Sequence, residues 1–82
     1  MSKQPKSQYK SYPEADGLRS GCKVSWRYYK DRAKAEECAK AAKWNAGIQR
    51  GQGYDFGYCD PGSISKAHEN SLFVGMWEVC LP

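Results

Sequence analysis

The sequence has no long hydrophobic run, no closely spaced cysteine pair and only one histidine. A membrane-spanning helix needs about 20 consecutive apolar residues, and no run here approaches that length. A zinc site needs four ligands, so His68 would have to be joined by cysteines that lie far apart along the chain. The 82 residues are enough for one domain. These features exclude a large multidomain enzyme and a protein with membrane-spanning helices.

Motifs of the common catalytic and nucleotide-binding sites are also missing. His68 lies in a predicted turn with no recognisable nucleophile or carboxylate as a partner. The adjacent Glu36 and Glu37 point about 100° apart on a helix, so they form no acid–base pair. The glycines at 51, 53 and 57 do not match GxGxxG and follow a helix instead of preceding one. We therefore expect no catalytic residue, no cofactor, no metal and no enzymatic activity.

The first residues and the cysteines bear on the compartment. Met1–Pro5 leads into polar residues and lacks the apolar stretch of a secretory signal, which favours the cytoplasm, where thiols stay reduced. Reduced cysteines are typically small buried core residues. Two disulfides, or a metal site assembled over long range, remain as alternatives. The cysteines concerned are Cys22, Cys38, Cys59 and Cys80.

Charge is divided unevenly along the chain. Residues 1–50 hold 12 basic and five acidic side chains, whereas residues 51–82 hold one basic and four acidic side chains. The net charge of the whole chain is +4, which is too small to identify nucleic acid as the partner. The basic half nevertheless indicates a polar or acidic partner on one side of the protein.

Residues 1–20 are typical of a tail. They contain Pro5 and Pro13, and Leu18 is their one branched aliphatic residue. A segment with so little to bury is expected to be mobile or loosely docked. The sequence therefore predicts a basic flexible tail over residues 1–20 and a single domain over residues 21–82.

The next residues predict a strand followed by a helix. Residues 22–29 alternate between apolar and polar side chains, as a half-buried strand does. Asp31 suits a helix N-cap, Arg32–Arg50 is rich in helix formers, and Gly51–Gly53 provides a stop. A row of small residues at helical spacing predicts a face that lies close on a sheet. This row consists of Ala35, Cys38, Ala39, Ala42 and Ala46.

A second possible row on the helix leaves the buried face open. It consists of Ala41, Trp44 and Ile48 and overlaps the alanine row at one edge. If the alanine row is buried, Trp44 points away from the core as an exposed binding anchor. If Ile48 leads the packing, Trp44 is the edge of the core.

The C-terminal half predicts three short strands joined by tight turns. Residues 54–59 alternate aromatic with small or polar side chains, Asp60–Gly62 is a turn signal, and residues 63–67 form a short strand. After a polar turn at residues 68–71, Leu72–Leu81 is apolar on both faces, which favours a central place in the sheet. We therefore expect a two-layer α+β domain of order β-α-β-β-β, with one helix packed on an antiparallel sheet.

Parts of residues 22–82 resemble small uncharacterised proteins encoded by bacteriophages and mobile elements. The stretches concerned are Gly53–Tyr58, the following Pro61–Gly62 and the terminal Trp77–Pro82. An alanine-rich helix similarly precedes the glycine-aromatic stretch in that group. The resemblance assigns no functional residue. It implies a bacterial host and a protein that binds, and often blocks, a host macromolecule such as a defence complex.

Basic and aromatic side chains are interleaved around the predicted strand and helix, and exposed tyrosine, tryptophan and arginine are typical of protein interfaces. If Trp26 faces the helix, Arg27 and Tyr29 lie on the open sheet face. We expect stoichiometric binding of an acidic host protein or complex, without a membrane partner. The alternative is nucleic-acid binding by the basic half, and an unpaired edge strand leaves both monomer and homodimer open. The expected contact residues are Arg27, Tyr29, Lys30, Lys40, Lys43 and Trp44.

Overall fold

A computed structural model of the protein describes residues 8–82, so the part of the predicted tail before residue 8 lies outside it. One helix packs on a four-stranded antiparallel sheet, which confirms the predicted two-layer α+β class. The sheet order is β1-β2-β4-β3, so the last strand is central, as predicted. The elements are β1 (Gly17–Ser20), β2 (Ser25–Tyr29), α1 (Arg32–Gly51), β3 (Ile64–Lys66) and β4 (Trp77–Leu81).

β1 lies where the sequence predicted a tail. Gly17–Ser20 pairs antiparallel with β2, with Ser20 opposite Ser25. Leu18 is 66% exposed, so the hydrogen-bonded ladder and not side-chain burial fixes this edge strand. The sheet therefore extends to residues before position 21, and the observed element order is β-β-α-β-β.

Residues 54–59, predicted as a strand, form an irregular turn instead. The Asp55 side chain accepts a hydrogen bond from the Gly57 N–H at 2.9 Å, and Gly57 has a φ of +68°. This local bonding takes the backbone out of the extended conformation and competes with a sheet ladder. The predicted alternation is therefore lost, because Phe56 is buried while Tyr58, which would share its face of a strand, is fully exposed.

Helix α1 begins and ends close to the predicted positions. Asp31 is the N-cap and accepts a hydrogen bond from the Ala33 N–H at 2.9 Å, while Gln52 is the C-cap. The alanine row is the buried face, and Trp44 lies outside it with an exposure of 36%. The buried residues of α1 are Ala35, Cys38, Ala39, Ala41, Ala42, Asn45 and Ala46.

The main core lies between α1 and the sheet. Tyr29 from β2 and Val79 and Leu81 from β4 pack against the alanine row. Tyr29 and Val79 are fully buried. Because the helix contributes mostly methyl groups to this contact, the larger side chains of the sheet supply most of the apolar area that is removed from water.

The second face of the sheet has no helix on it among residues 8–82. Phe73, in the loop before β4, stacks on Tyr28 with the ring centroids 4.3 Å apart. This loop replaces the first half of the predicted strand Leu72–Leu81. Arg19 lies over the Trp26 ring, 3.9 Å from its centroid. Aromatic and cation–π contacts therefore cover part of this face.

All four cysteines are free. Cys38 and Cys80 are buried, as expected of small core residues, whereas Cys22 is exposed and Cys59 is half-buried. Burial, with a smaller contribution from the nearby Cys59, raises the pKa of the Cys80 thiol to about 11. Burial also raises the pKa of Cys38. Both buried thiols therefore stay protonated near neutral pH and serve as packing groups.

Gly62 brings the turn before β3 against α1. Its φ is +95°, and an added Cβ would lie 3.1 Å from the Ala39 carbonyl oxygen and overlap the Lys43 side chain. We expect Gly62→Ala to lower the free energy of unfolding by about 2 kcal/mol in urea denaturation. Gly53→Ala is the control, because Gly53 has a φ of +91° but nothing within 4 Å of an added Cβ.

Gly53→Ala should lower the free energy of unfolding by about 1 kcal/mol, because alanine disfavours a positive φ and meets no neighbouring atom there. The difference between the two variants therefore measures the close approach of the turn to α1. Equal losses at Gly62 and Gly53 would show that this approach contributes nothing to stability.

Candidate functional site

Residues 8–13, here called the N-terminal segment, lie against α1 and β2. The segment has no regular secondary structure, yet four side chains of the domain hydrogen-bond to its main chain. We call the place where they meet the groove, and its four residues are Arg27 and Tyr29 on β2 and Trp44 and Asn45 on α1. Three of the six expected partner-contact residues, Arg27, Tyr29 and Trp44, therefore hydrogen-bond to the N-terminal segment of the same chain.

Asn45 holds the middle of the N-terminal segment. Its Oδ1 accepts a hydrogen bond from the Lys10 N–H at 2.8 Å, and its Nδ2 donates to the Lys10 carbonyl oxygen at 2.9 Å. Nδ2 also donates to the Tyr12 hydroxyl at 2.7 Å. Asn45 is only 3% exposed, so these bonds satisfy an amide that would otherwise be costly to bury.

Trp44 holds the start of the N-terminal segment. Its indole Nε1 donates a hydrogen bond to the Gln8 carbonyl oxygen at 2.9 Å. The Lys10 ammonium lies 4.4 Å from the centroid of the Trp44 ring, within the range of a cation–π contact. Trp44 is therefore neither a core-edge residue nor a free side chain, because part of it contacts the segment while 36% of it stays exposed.

The carbonyl oxygen of Pro13 fixes the end of the N-terminal segment. It accepts hydrogen bonds from the Tyr29 hydroxyl at 2.7 Å and from Arg27 Nη1 at 3.0 Å. Burial raises the pKa of Tyr29, so its hydroxyl keeps the donated proton near neutral pH. Tyr29 is 0% exposed and faces α1. The condition that would place Arg27 and Tyr29 on the open sheet face, Trp26 facing the helix, is therefore not met. Trp26 and Tyr28 lie on the open face instead.

Lys40, Lys43 and Trp44 remain accessible on the side of α1 that points away from the sheet. Lys40, Trp44, Gly47 and Ile48 follow one another at helical spacing on this side. Because Gly47 has no side chain, an open hollow of about 330 Å³ lies beside Trp44, lined by Lys43, Trp44, Gly47 and Ile48. We call the surface formed by these five residues the outer face of α1.

Lys30, the last of the expected contact residues, is exposed in the turn that joins β2 to α1. Its main-chain N–H donates to the Asp16 carboxylate at 2.9 Å. The structure thus brings three expected residues onto the outer face of α1 and three into the groove beneath the N-terminal segment, with Trp44 counted in both. Sequence reasoning missed Asn45, although a polar residue beside Ala42 and Ala46 in a buried row is a recognisable signal.

The four side chains of the groove all make hydrogen bonds to the main chain of the N-terminal segment. Within residues 8–82, no three His, Cys, Asp or Glu side chains come together as metal ligands. His68 is exposed, and its Nδ1 accepts a hydrogen bond from the Asn70 N–H at 3.1 Å. α1 is not apolar enough to cross a membrane, and the described part of the chain has no other helix.

No family model matches the sequence, and no curated protein or solved structure is significantly similar to it. The outer face of α1 and the groove are the two features of this chain that bear on its function.

Proposed function

We propose that the protein is a small non-enzymatic accessory protein of the bacteriophage type, which binds an acidic surface of a host protein or complex in the bacterial cytoplasm and modulates or inhibits it. The observation that carries this proposal is Trp44, 36% exposed, beside Lys40 and Lys43 on the outer face of α1. A partly exposed tryptophan supplies a large apolar contact area at an interface. The lysines supply the charge that selects an acidic partner.

The charge of the outer face is available to a partner. Arg32 near the start of α1 pairs with Glu36 at 3.0 Å. In contrast, neither Lys40 nor Lys43 forms an ion pair with another residue in the range 8–82. Because neither ammonium group is held in an ion pair, both can turn toward an acidic surface during encounter.

Nucleic-acid binding by the basic half is the less favoured function. Arg19 contacts the open sheet face, Arg27 lies in the groove and Lys40 lies on the outer face of α1. Binding along a phosphate backbone favours basic residues that follow one continuous track. These three basic residues lie on three different surfaces, which favours a protein partner instead.

A pull-down from nuclease-treated bacterial lysate tests the proposal. We expect the immobilised protein to retain a specific host protein, and Trp44→Ala to weaken its retention at least about tenfold. The double variant Lys40→Glu, Lys43→Glu should weaken it similarly, because it reverses the charge of the outer face. The double variant Lys23→Glu, Lys34→Glu changes the net charge equally and should retain the partner.

Two outcomes would contradict the proposal. If all variants retain the same host protein equally, the outer face of α1 is not the contact. If nuclease treatment removes everything that is recovered, the ligand is nucleic acid, and the affinity should then fall steeply with salt.

A further inference from the structure

The groove recognises the N-terminal segment mainly through main-chain atoms. The carbonyl oxygens of Gln8, Lys10 and Pro13 accept hydrogen bonds from the groove, and the Lys10 N–H donates one to it. The groups that bind them are side chains of α1 and β2, two elements that both pack against β4. Main-chain recognition of this kind accepts many sequences and supplies affinity independently of side chains.

One side chain of the N-terminal segment also enters the domain. Tyr12 packs against the main core, and its hydroxyl accepts the hydrogen bond from Asn45 at 2.7 Å. The Arg27 guanidinium lies 5.2 Å from the centroid of the Tyr12 ring. A pocket for one side chain beside main-chain hydrogen bonds is the usual basis of specificity in peptide recognition, and here it selects a tyrosine.

The groove also offers contacts that the N-terminal segment does not use. An open pocket of about 290 Å³ adjoins the segment and is lined by Tyr9, Lys10, Tyr12, Asn45, Gln49 and Pro82. Gln49 Oε1 is buried and has no hydrogen-bond partner among residues 8–82. A bound peptide with a donor side chain at this point would satisfy an acceptor that the segment leaves unbonded.

We propose that the groove is a peptide-binding site for a tyrosine-containing segment of a partner protein, and that residues 8–13 occupy it as an exchangeable internal ligand. The incoming segment presents its main chain to Trp44, Asn45, Arg27 and Tyr29 and inserts a tyrosine where Tyr12 now lies. This site does not rest on the proposed function, because it depends on Asn45, Arg27 and Tyr29 and not on the lysines of the outer face of α1. Trp44 belongs to both surfaces, so the tests of the groove use Lys10 and Tyr12 instead.

A labelled peptide of residues 8–16 tests exchange on the full chain. In the unaltered protein the internal segment competes at high effective concentration, so we expect weak binding of the peptide in fluorescence anisotropy. Lys10→Pro in the full chain removes the N–H that Asn45 binds, and should strengthen peptide binding at least about tenfold. Lys10→Ala is the matched control, because it keeps the N–H and should bind the peptide as weakly as the unaltered chain.

The same pair of substitutions is then made in the peptide, with the Lys10→Pro chain as receptor. We expect the peptide with Lys10→Ala to bind within about threefold of the original, and the peptide with Lys10→Pro to bind at least about tenfold more weakly. Tyr12→Ala in the full chain is a second releasing variant, and circular dichroism checks that α1 is retained in each chain. If neither releasing variant binds the peptide better than the unaltered chain, or if both substituted peptides bind equally, the proposal is overturned.

Discussion

Tyr29→Ala is expected to lower the free energy of unfolding by about 4 kcal/mol, the largest effect of any substitution considered for this protein. Tyr29 is 0% exposed and packs between the alanine row of α1 and the side chains of β4. Alanine would leave a cavity at the centre of the main core, and a loss of this size is a large part of the stability of a small domain. Urea and thermal denaturation followed by circular dichroism would measure it.

Tyr29→Phe separates the ring from the hydroxyl. We expect it to cost only about 1 kcal/mol, because the ring still fills the core and the Pro13 carbonyl oxygen keeps its hydrogen bond from Arg27 at 3.0 Å. Tyr58→Ala, at a fully exposed position, should change stability by less than about 0.5 kcal/mol. If Tyr29→Phe were as damaging as Tyr29→Ala, the hydrogen bond and not the packing would be the main contribution.

Asn45→Ala is expected to lower the free energy of unfolding by about 3 kcal/mol, because it removes three hydrogen bonds made by a buried amide and leaves polar groups of Lys10 without protein partners. Hydrogen exchange provides a local measurement, since the Lys10 N–H should lose its protection. Asn70→Ala, at an exposed position, is the control and should have little effect on stability. Unchanged protection of the Lys10 N–H in Asn45→Ala would contradict the role of Asn45.

The parts of the fold that could be predicted are those with a local physical signature. Asp31 and the helix formers after it identified α1, because capping and helix propensity act over a few residues. The alanine row was one of two candidate buried faces, and the structure shows that it is the buried one. The two apolar faces of Leu72–Leu81 indicated the central strand correctly, although the strand itself begins at Trp77. In both cases apolar side chains that form the pattern in the sequence become buried in the structure, the alanine row in α1 and Val79–Leu81 in the strand.

The parts that were missed depend on contacts between distant residues or on local polar competition. Gly17–Ser20 is an exposed strand fixed by the main-chain ladder with β2, so its side chains carry no alternating pattern. At residues 54–59 the pattern was present, but the bond between Asp55 and Gly57 favours a turn. Prediction from the alternation of side chains was therefore wrong at both places, because hydrogen bonds of the main chain decide the structure there.

The candidate site shows the same division. Helical spacing places Trp44 beside Lys40 on the exposed side of α1 once the alanine row is known to be buried. The face of β2 could not be assigned, because aromatic residues occupy both alternating sets, with Tyr28 on one face and Tyr29 on the other. The N-terminal segment covers Tyr29 through a contact with Pro13, 16 residues earlier in the chain. No local sequence pattern predicts a contact over that distance.

The groove binds the main chain of the N-terminal segment. Docking therefore does not require particular side chains at most positions of the segment. Substitutions at Gln8, Tyr9 or Ser11 preserve every hydrogen bond between the segment and the groove. We therefore expect these three positions to vary among relatives more than Asn45 and Tyr12 do. A stretch that varies like an unstructured tail from one relative to the next would then still be a docked part of the protein.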